Sequence, residues 1–210
     1  MRLTGEDAMT DRANSFEIRR REVAQRLLDG NPDALVIAGL GATVWDLTAA
    51  GDRHSTFPLW GAMGGAAAMG LGLALAQPEK RVIVVTGDGE QLMGLGALAT
   101  VAVQRPGNLA IVVFDNESYG ETGMQATHTA AGVDLAGIAR AAGFPTIVSA
   151  STNAELDDAL RTVSSGKGPV FAWLKVRAEA SPFALPPKDG AWLKDRFRRH
   201  LLGPAAVGES

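Results

Sequence analysis

The chain is expected to fold as an α/β domain of three layers, a parallel sheet with helices on both faces, and three observations lead there. Short, uninterrupted apolar runs of strand length recur and end in Gly or Asp-Asn, as at residues 34–39, 82–87 and 109–116. Helix-length stretches separate them. Glycine reaches 25 of 210 residues, concentrated between Gly39 and Gly123. Apolar runs without alternation suit strands covered on both faces, and right-handed crossovers turn strand–helix alternation into a parallel sheet.

The elements follow in order. Phe16, Ile18, Val23, Leu27 and Leu28 recur at roughly helical spacing, which predicts an amphipathic helix over residues 14–28, capped by Asn14 or Ser15 and ended by Gly30. Ala-Leu-Val-Ile-Ala at residues 34–38 is the first strand. Strands are also expected at residues 82–86, 109–114 and 169–174, with a weaker one at 145–148. Helices are expected at 64–75, 91–104, 134–142 and 153–164. After Val176 the pattern changes to prolines and then a short basic helix over residues 190–202, carrying Lys194, Arg196, Arg198 and Arg199. That divides the chain into a polar extension (1–15), one domain (16–176) and a tail (177–210) expected to wrap a neighbouring surface, its basic residues forming a solvated face.

Composition narrows the function. With 46% hydrophobic and 20% charged residues the chain can bury a core, and 210 residues leave no room for two catalytic domains. A net charge of −3 offers no basic surplus for a nucleic-acid backbone. The absence of cysteine removes disulfides, thiolate metal sites, iron–sulfur clusters and cysteine nucleophiles. Three scattered histidines make no zinc site, and His54 and His200 have no motif around them. Residues 1–15 carry Glu6, Asp7 and Asp11 without an apolar stretch, and residues 60–76 fall short of a membrane span, so a cytoplasmic protein without a membrane partner is expected.

Gly87-Asp88-Gly89-Glu90 directly follows a buried strand, and Asn116 ends the next one. Two adjacent strand exits therefore offer carboxylate and amide oxygens, the donors that Mg2+ takes while leaving positions for phosphate. Glycines beside Asp88 admit a diphosphate to the backbone. The tetrapeptide alone equally suits a tight turn with a capping aspartate.

Gly87-Asp-Gly89 followed by Asn116-Glu-Ser-Tyr-Gly120 resembles the signature of thiamine-diphosphate enzymes, the decarboxylases, acetolactate synthases and their relatives. The likeness runs from about Ala34 to Trp173 and includes residues 61–64, 70–75, 95–100, Thr122-Gly123 and Gln125. Within that superfamily it is nearest to the beta subunits of sulfopyruvate decarboxylases and the C-terminal halves of phosphonopyruvate decarboxylases. The resemblance implies the thiamine-diphosphate-binding fold, in its diphosphate-binding domain. It implies Asp88, Asn116 and the Ser118 carbonyl as Mg2+ ligands, and Met63 beside Gly61 as an apolar wedge under the cofactor. Gly41, Ala42, Thr43, Gly87, Gly89, Glu90, Tyr119 and Gly120 complete the cofactor contacts.

Gln125, Thr127 and His128 are candidate contacts to an acidic substrate, with a loop at 121–125 closing over it. Glu121 stands where the family carries a small residue such as serine, and an extra carboxylate would repel a sulfonate or phosphonate. The glutamate that acts on the cofactor's aminopyrimidine belongs, in the family, to a separate pyrimidine-binding domain with no counterpart here. The resemblance therefore implies a partner alpha subunit, a site between two chains, and a small 2-oxo acid as substrate for decarboxylation to an aldehyde. Three other readings stay open: the thiamine-diphosphate subunit of a 2-oxo acid oxidoreductase, a dinucleotide dehydrogenase built on Gly39-Leu-Gly-Ala-Thr-Val44 with Asp52 on the ribose, and a non-catalytic binding subunit of the same fold.

Overall fold

A computed structural model describes residues 12–203 and 206, so most of the polar extension and the last residues of the tail lie outside the described residues. In chain order the elements are α1 (Arg20–Gly30), β1 (Leu35–Ala38), α2 (Ala42–Ala50), β2 (Thr56–Pro58), α3 (Ala66–Ala76) and β3 (Val82–Gly87). Then come α4 (Asp88–Met93), α5 (Gly96–Gln104), β4 (Leu109–Asp115), the hairpin β5 (Ser118–Tyr119) and β6 (Gln125–Ala126), and α6 (Leu135–Ala142). The chain closes with β7 (Thr146–Ala150), α7 (Asn153–Ser165), β8 (Val170–Lys175) and α8 (Gly190–Leu202).

Six strands form a parallel sheet in the order β2-β1-β3-β4-β8-β7. Successive side chains in a strand point to opposite faces. Val36 and Ala38, Ile83 and Val85, and Ala110 and Val112 accordingly pack with Leu27 of α1, Leu47 of α2 and Leu160 of α7. Leu35 and Ile37, Val82 and Val84, and Ile111 and Val113 pack with Leu71 of α3, Val101 of α5 and Leu135 of α6. Every residue of β4 is buried, the result of cover on both sides.

The chain leaves β1 toward β2 on one side and returns to β3 on the other, so the strand order reverses between β1 and β3. In sheets of this kind the crevice outside the carboxyl ends at such a reversal is where ligands bind. The register pairs Gly87 with Phe114, which brings Asp88 and the Asp115–Asn116 pair out of the sheet side by side.

Several expectations are corrected. The opening helix starts at Arg20, because Ile18 is held in an isolated parallel bridge to Val176. The helix expected over 91–104 breaks into α4 and α5 at Gly94, whose backbone lies against Gly64; a β-carbon on residue 94 would sit 2.1 Å from the Gly64 oxygen. Helix α2 and strand β2 had no expectation. The tail packs on this chain's own sheet edge. Phe197 stacks edge-on to Phe57 at 5.6 Å, and Trp60 Nε1 donates to the Pro187 carbonyl at 3.3 Å. Of the basic residues of α8, Arg196 is buried and paired with Asp52 at 2.7 Å, which also removes Asp52 from any ribose-binding role.

Two glycines of α3 face opposite surroundings and make a paired test. A methyl group on residue 70 would lie 2.1 Å from Val84 Cγ2, whereas residue 72 has nothing within 4 Å. Gly70→Ala is expected to destabilise the fold by about 1–3 kcal/mol through overpacking of α3 on β3. Gly72→Ala is expected to stabilise it by roughly 0.5–1 kcal/mol through helix propensity. Urea unfolding of both variants checks the assignment; equal effects would mean that α3 does not meet β3 through Gly70.

Candidate functional site

At the strand reversal lies a cavity of about 290 Å³. Its walls come from three strand exits: Leu40–Thr43 after β1, Gly87–Glu90 after β3, and Asn116 with Ser118–Thr122 after β4. Arg20 and Met63 also reach it. Most of the residues singled out from the sequence meet here: Gly41, Ala42, Thr43, Met63, Gly87, Asp88, Gly89, Glu90, Asn116, Ser118, Tyr119 and Gly120 all line the cavity. Gly61, Gln125 and His128 do not, and all three are exposed. Gln125 is turned onto Thr122, taking its hydroxyl at 2.8 Å and giving its amide to the Thr122 carbonyl at 2.7 Å. Thr127 does not line the cavity and donates its hydroxyl to Asp88, so it supports a residue that does.

Asp88 opens α4 and is 2% exposed. Its Oδ2 receives the hydroxyls of Thr127 and, at 3.1 Å, Thr129. Both threonines follow the β5–β6 hairpin, whose register sets Ser118 opposite Ala126. The hairpin thus folds the chain after the Asn116 turn back onto the Asp88 turn. Thr129 also donates to Asp115 Oδ1 at 2.8 Å, linking the two carboxylates. Burial first, and the charge of Asp115 second, push the Asp88 carboxyl up to about 7.

The turn after β4 is built from its own side chains. Asp115 Oδ1 accepts from the Glu117 amide at 2.9 Å, and Asn116 Oδ1 accepts from the Ser118 amide at 3.1 Å. Glu117 between them takes a left-handed conformation at φ +59°, which costs a non-glycine residue energy unless its surroundings hold it. They do: its buried carboxylate meets Lys175 Nζ at 2.7 Å and pairs with Arg12. Lys175 also pairs with Asp115 at 2.9 Å.

Glu90 turns from the cavity into the protein. Its Oε2 accepts from the Thr86 hydroxyl at 2.7 Å and lies where a β-carbon on Gly39 would have to be. Burial pushes this carboxyl up, against the Thr86 hydroxyl and the nearby amides of Gly64, Leu40 and Ala66. The space a side chain on Gly89 would need is filled by the Tyr119 ring, 2.4 Å from that position. Gly87 has only the Phe114 carbonyl oxygen at 4.0 Å, leaving it open to the cavity.

Among the described residues no three His, Cys, Asp or Glu side chains gather as a metal cage. The donors available at Asp88 and Asn116 are one carboxylate, one amide and backbone carbonyls, a set that fits a hard cation sharing its remaining positions with phosphate or water. The open face of Gly87 and the left-handed Gly41, at φ +84°, leave backbone accessible to such a phosphate.

Residues 38–172 match the family model "Thiamine pyrophosphate enzyme, C-terminal TPP binding domain". The chain belongs to this family. It is 37% identical over 186 residues to sulfopyruvate decarboxylase subunit beta of Methanothermobacter thermautotrophicus, covering 89% of this chain and 97% of that one. It is 39% identical over 184 residues to phosphonopyruvate decarboxylase of Streptomyces viridochromogenes, covering 87% of this chain but only 46% of the longer relative. Benzoylformate decarboxylase from Polynucleobacter necessarius shares the fold, with a TM-score of 0.63 and 19% identity over 79% of this chain and 34% of its own. No helix among the described residues is long and apolar enough to cross a membrane.

Raising the Asp88 carboxyl makes the stability of the fold depend on pH. Between its ordinary value of 3.8 and about 7, the folded chain holds a proton that the unfolded chain has released. Stability is then full at low pH and falls as pH rises through that window. Asp88→Asn removes the cost, so in EDTA at pH 8 this variant should exceed the unsubstituted chain in stability by on the order of 2 kcal/mol, the gap closing toward pH 5. Thermal unfolding at the two pH values reads this out, and a variant less stable than the parent at pH 8 would contradict it.

Proposed function

We propose that the chain is the diphosphate- and Mg2+-binding subunit of a cytoplasmic, two-subunit, thiamine-diphosphate-dependent 2-oxo acid decarboxylase. Sulfopyruvate is the first substrate to test and a phosphonopyruvate-like acid the second. The observation that carries this reading is the oxygen set of Asp88, Asn116 and Ser118 at two adjacent strand exits, opening on the same cavity as the Gly41 turn. The near-complete coverage of a relative named as a beta subunit supports a separate alpha chain. A cavity at the small end of the range for ligand sites supports completion by that chain. The net charge of −3 favours a small-molecule substrate over nucleic acid.

Thiamine diphosphate, when bound, supplies the electron sink that decarboxylation of a 2-oxo acid requires. The residues of this chain hold and shape. Asp88 presents an anionic oxygen to Mg2+, steadied by the Thr127 and Thr129 hydroxyls; Asn116 and the Ser118 carbonyl add neutral ones. Backbone at Gly41–Thr43 and at Gly87–Glu90 receives the diphosphate, with Gly120 and the Tyr119 ring closing the wall. Met63, with Gly61 beside its loop, would offer the cofactor an apolar thioether contact. Gln125 and His128 would serve an acidic substrate when the loop at 121–125 closes over it. The glutamate facing the aminopyrimidine is assigned to the alpha subunit, so neither chain acts alone.

Native mass spectrometry of the purified complex is the direct test, with Asp88→Ala as its control. A partner of defined stoichiometry and bound thiamine diphosphate are expected. In the reconstituted complex Asp88→Ala should abolish both decarboxylation and Mg2+-dependent cofactor retention. Retention of both by the variant would remove Asp88 from the metal site, and a lone chain that ignores thiamine diphosphate and Mg2+ would favour a non-catalytic subunit.

A further inference from the structure

Arg20 reads in the sequence as one more polar residue of an amphipathic helix, yet its side chain is only 9% exposed and lines the cavity. Its Nε pairs with Asp46 Oδ2 at 2.7 Å, and Arg21 Nε approaches the other oxygen at 3.3 Å. One carboxylate therefore faces two guanidinium groups and leaves a positive excess. Arg20 Nε and Asp46 Oδ2 are both buried and, among the described residues, find no hydrogen-bond partner beyond each other.

The wall beside it is the first turn of α2, nine residues long, whose N-cap is Gly41 with no capping side chain. Unbonded first-turn amides attract oxyanions. The hydroxyl that could have served there, on Thr43, donates instead to the Gly39 carbonyl at 2.7 Å. An anion of the chain's own already lies over this turn: Glu121 Oε1 is 3.2 Å from the position a β-carbon on Gly41 would take. Burial raises the Glu121 carboxyl and the Arg20 charge draws it back down.

We infer that Arg20 and the first turn of α2 form a seat for a phosphoryl oxyanion, the outer phosphate of the cofactor's diphosphate, and that Glu121 covers this seat until the diphosphate displaces it. The assignment rests on the function proposed above and adds a residue pair that sets cofactor affinity. The diphosphate is favoured over the substrate's second acid group because the seat shares one cavity with Asp88 and Asn116, and a metal held there needs a phosphate beside it. Arg20 is then a binding residue. Glu121 is its exchange partner.

The test uses the full chain with its copurified partner and two probes, inorganic pyrophosphate and thiamine diphosphate, each titrated calorimetrically with Mg2+. Glu121→Gln should tighten both by about three- to tenfold, since a competing carboxylate is removed. Arg20→Met should weaken both by about tenfold or more, the effect of losing a charge-assisted hydrogen bond, with Arg20→Lys in between. Unchanged or weaker pyrophosphate binding by Glu121→Gln overturns the exchange. Pyrophosphate binding that ignores Arg20→Met, together with a raised KM for the 2-oxo acid, assigns the guanidinium to the substrate and overturns the seat. Should Arg20→Met lose its circular-dichroism signature, Glu121→Gln and Arg20→Lys carry the test, because neither uncovers Asp46. A chain that binds pyrophosphate with these dependences but refuses thiamine diphosphate keeps the seat and sinks the thiamine reading. One that binds thiamine diphosphate equally well in every variant sinks only the seat.

Discussion

Asp115 sits fully buried at the end of β4, and its two oxygens take four donors: the Glu117 amide, the Thr129 hydroxyl, Trp173 Nε1 at 2.7 Å and Lys175 Nζ. Those donors come from the turn after β4, the chain beyond the β5–β6 hairpin, and β8. One carboxylate thereby joins the sheet to every segment that shapes the site beyond β4. A buried charge is tolerable only when paired and fully hydrogen-bonded, and Lys175 with these three dipoles meets that condition. The left-handed Glu117 follows from the same arrangement, because Lys175 reaches both Asp115 and Glu117 and fixes the backbone between them.

That solution creates the next constraint. With the donors of Asp115 spent on the fold, Asp88 lies beside a second carboxylate whose charge raises its own carboxyl, and Thr129 bridges the two. Behind the cavity wall Asp88, Asp115 and Glu117 face Lys175 and Arg12, three carboxylates against two cations. A divalent cation would relieve this excess. Preorganisation of that kind costs stability in the empty protein and returns it as affinity.

Much of this was legible from the chain alone, and the parts that were not share a cause. Strands β1, β3, β4 and β8 announce themselves because both faces are covered, so their apolar runs have no gaps. Asp88 and Asn116 are legible because each sits where a run stops. Strand β2 is three residues with Pro58 at its end, too short for any period, and α2 hides because Thr43, Asp46 and Thr48 interrupt an apolar face. The roles of Thr127, Thr129 and Lys175 depend on where a hairpin folds back and on the neighbour that β4 acquires, which are contacts distant in sequence. Arg20 was invisible for the plainest reason: on a helix whose opposite face is polar, nothing local distinguishes an arginine that bends under into a cavity from one that points to water.

The charges of the cavity are arranged along its length rather than scattered through it. At the β3–β4 end the side chains sum to a negative excess; at the β1–α2 end Arg20, Arg21 and Asp46 sum to a positive one, masked by Glu121. A ligand of one sign would gain at one end and lose at the other. A metal diphosphate, with its cation toward the carboxylates and its outer phosphate toward the guanidinium and the amides of α2, gains at both. The same polarity would favour that pose over the reversed one, which opposes both charges. Without the ligand, each end needs a substitute: hydroxyl bonds and partial protonation soften Asp88, and Glu121 answers Arg20.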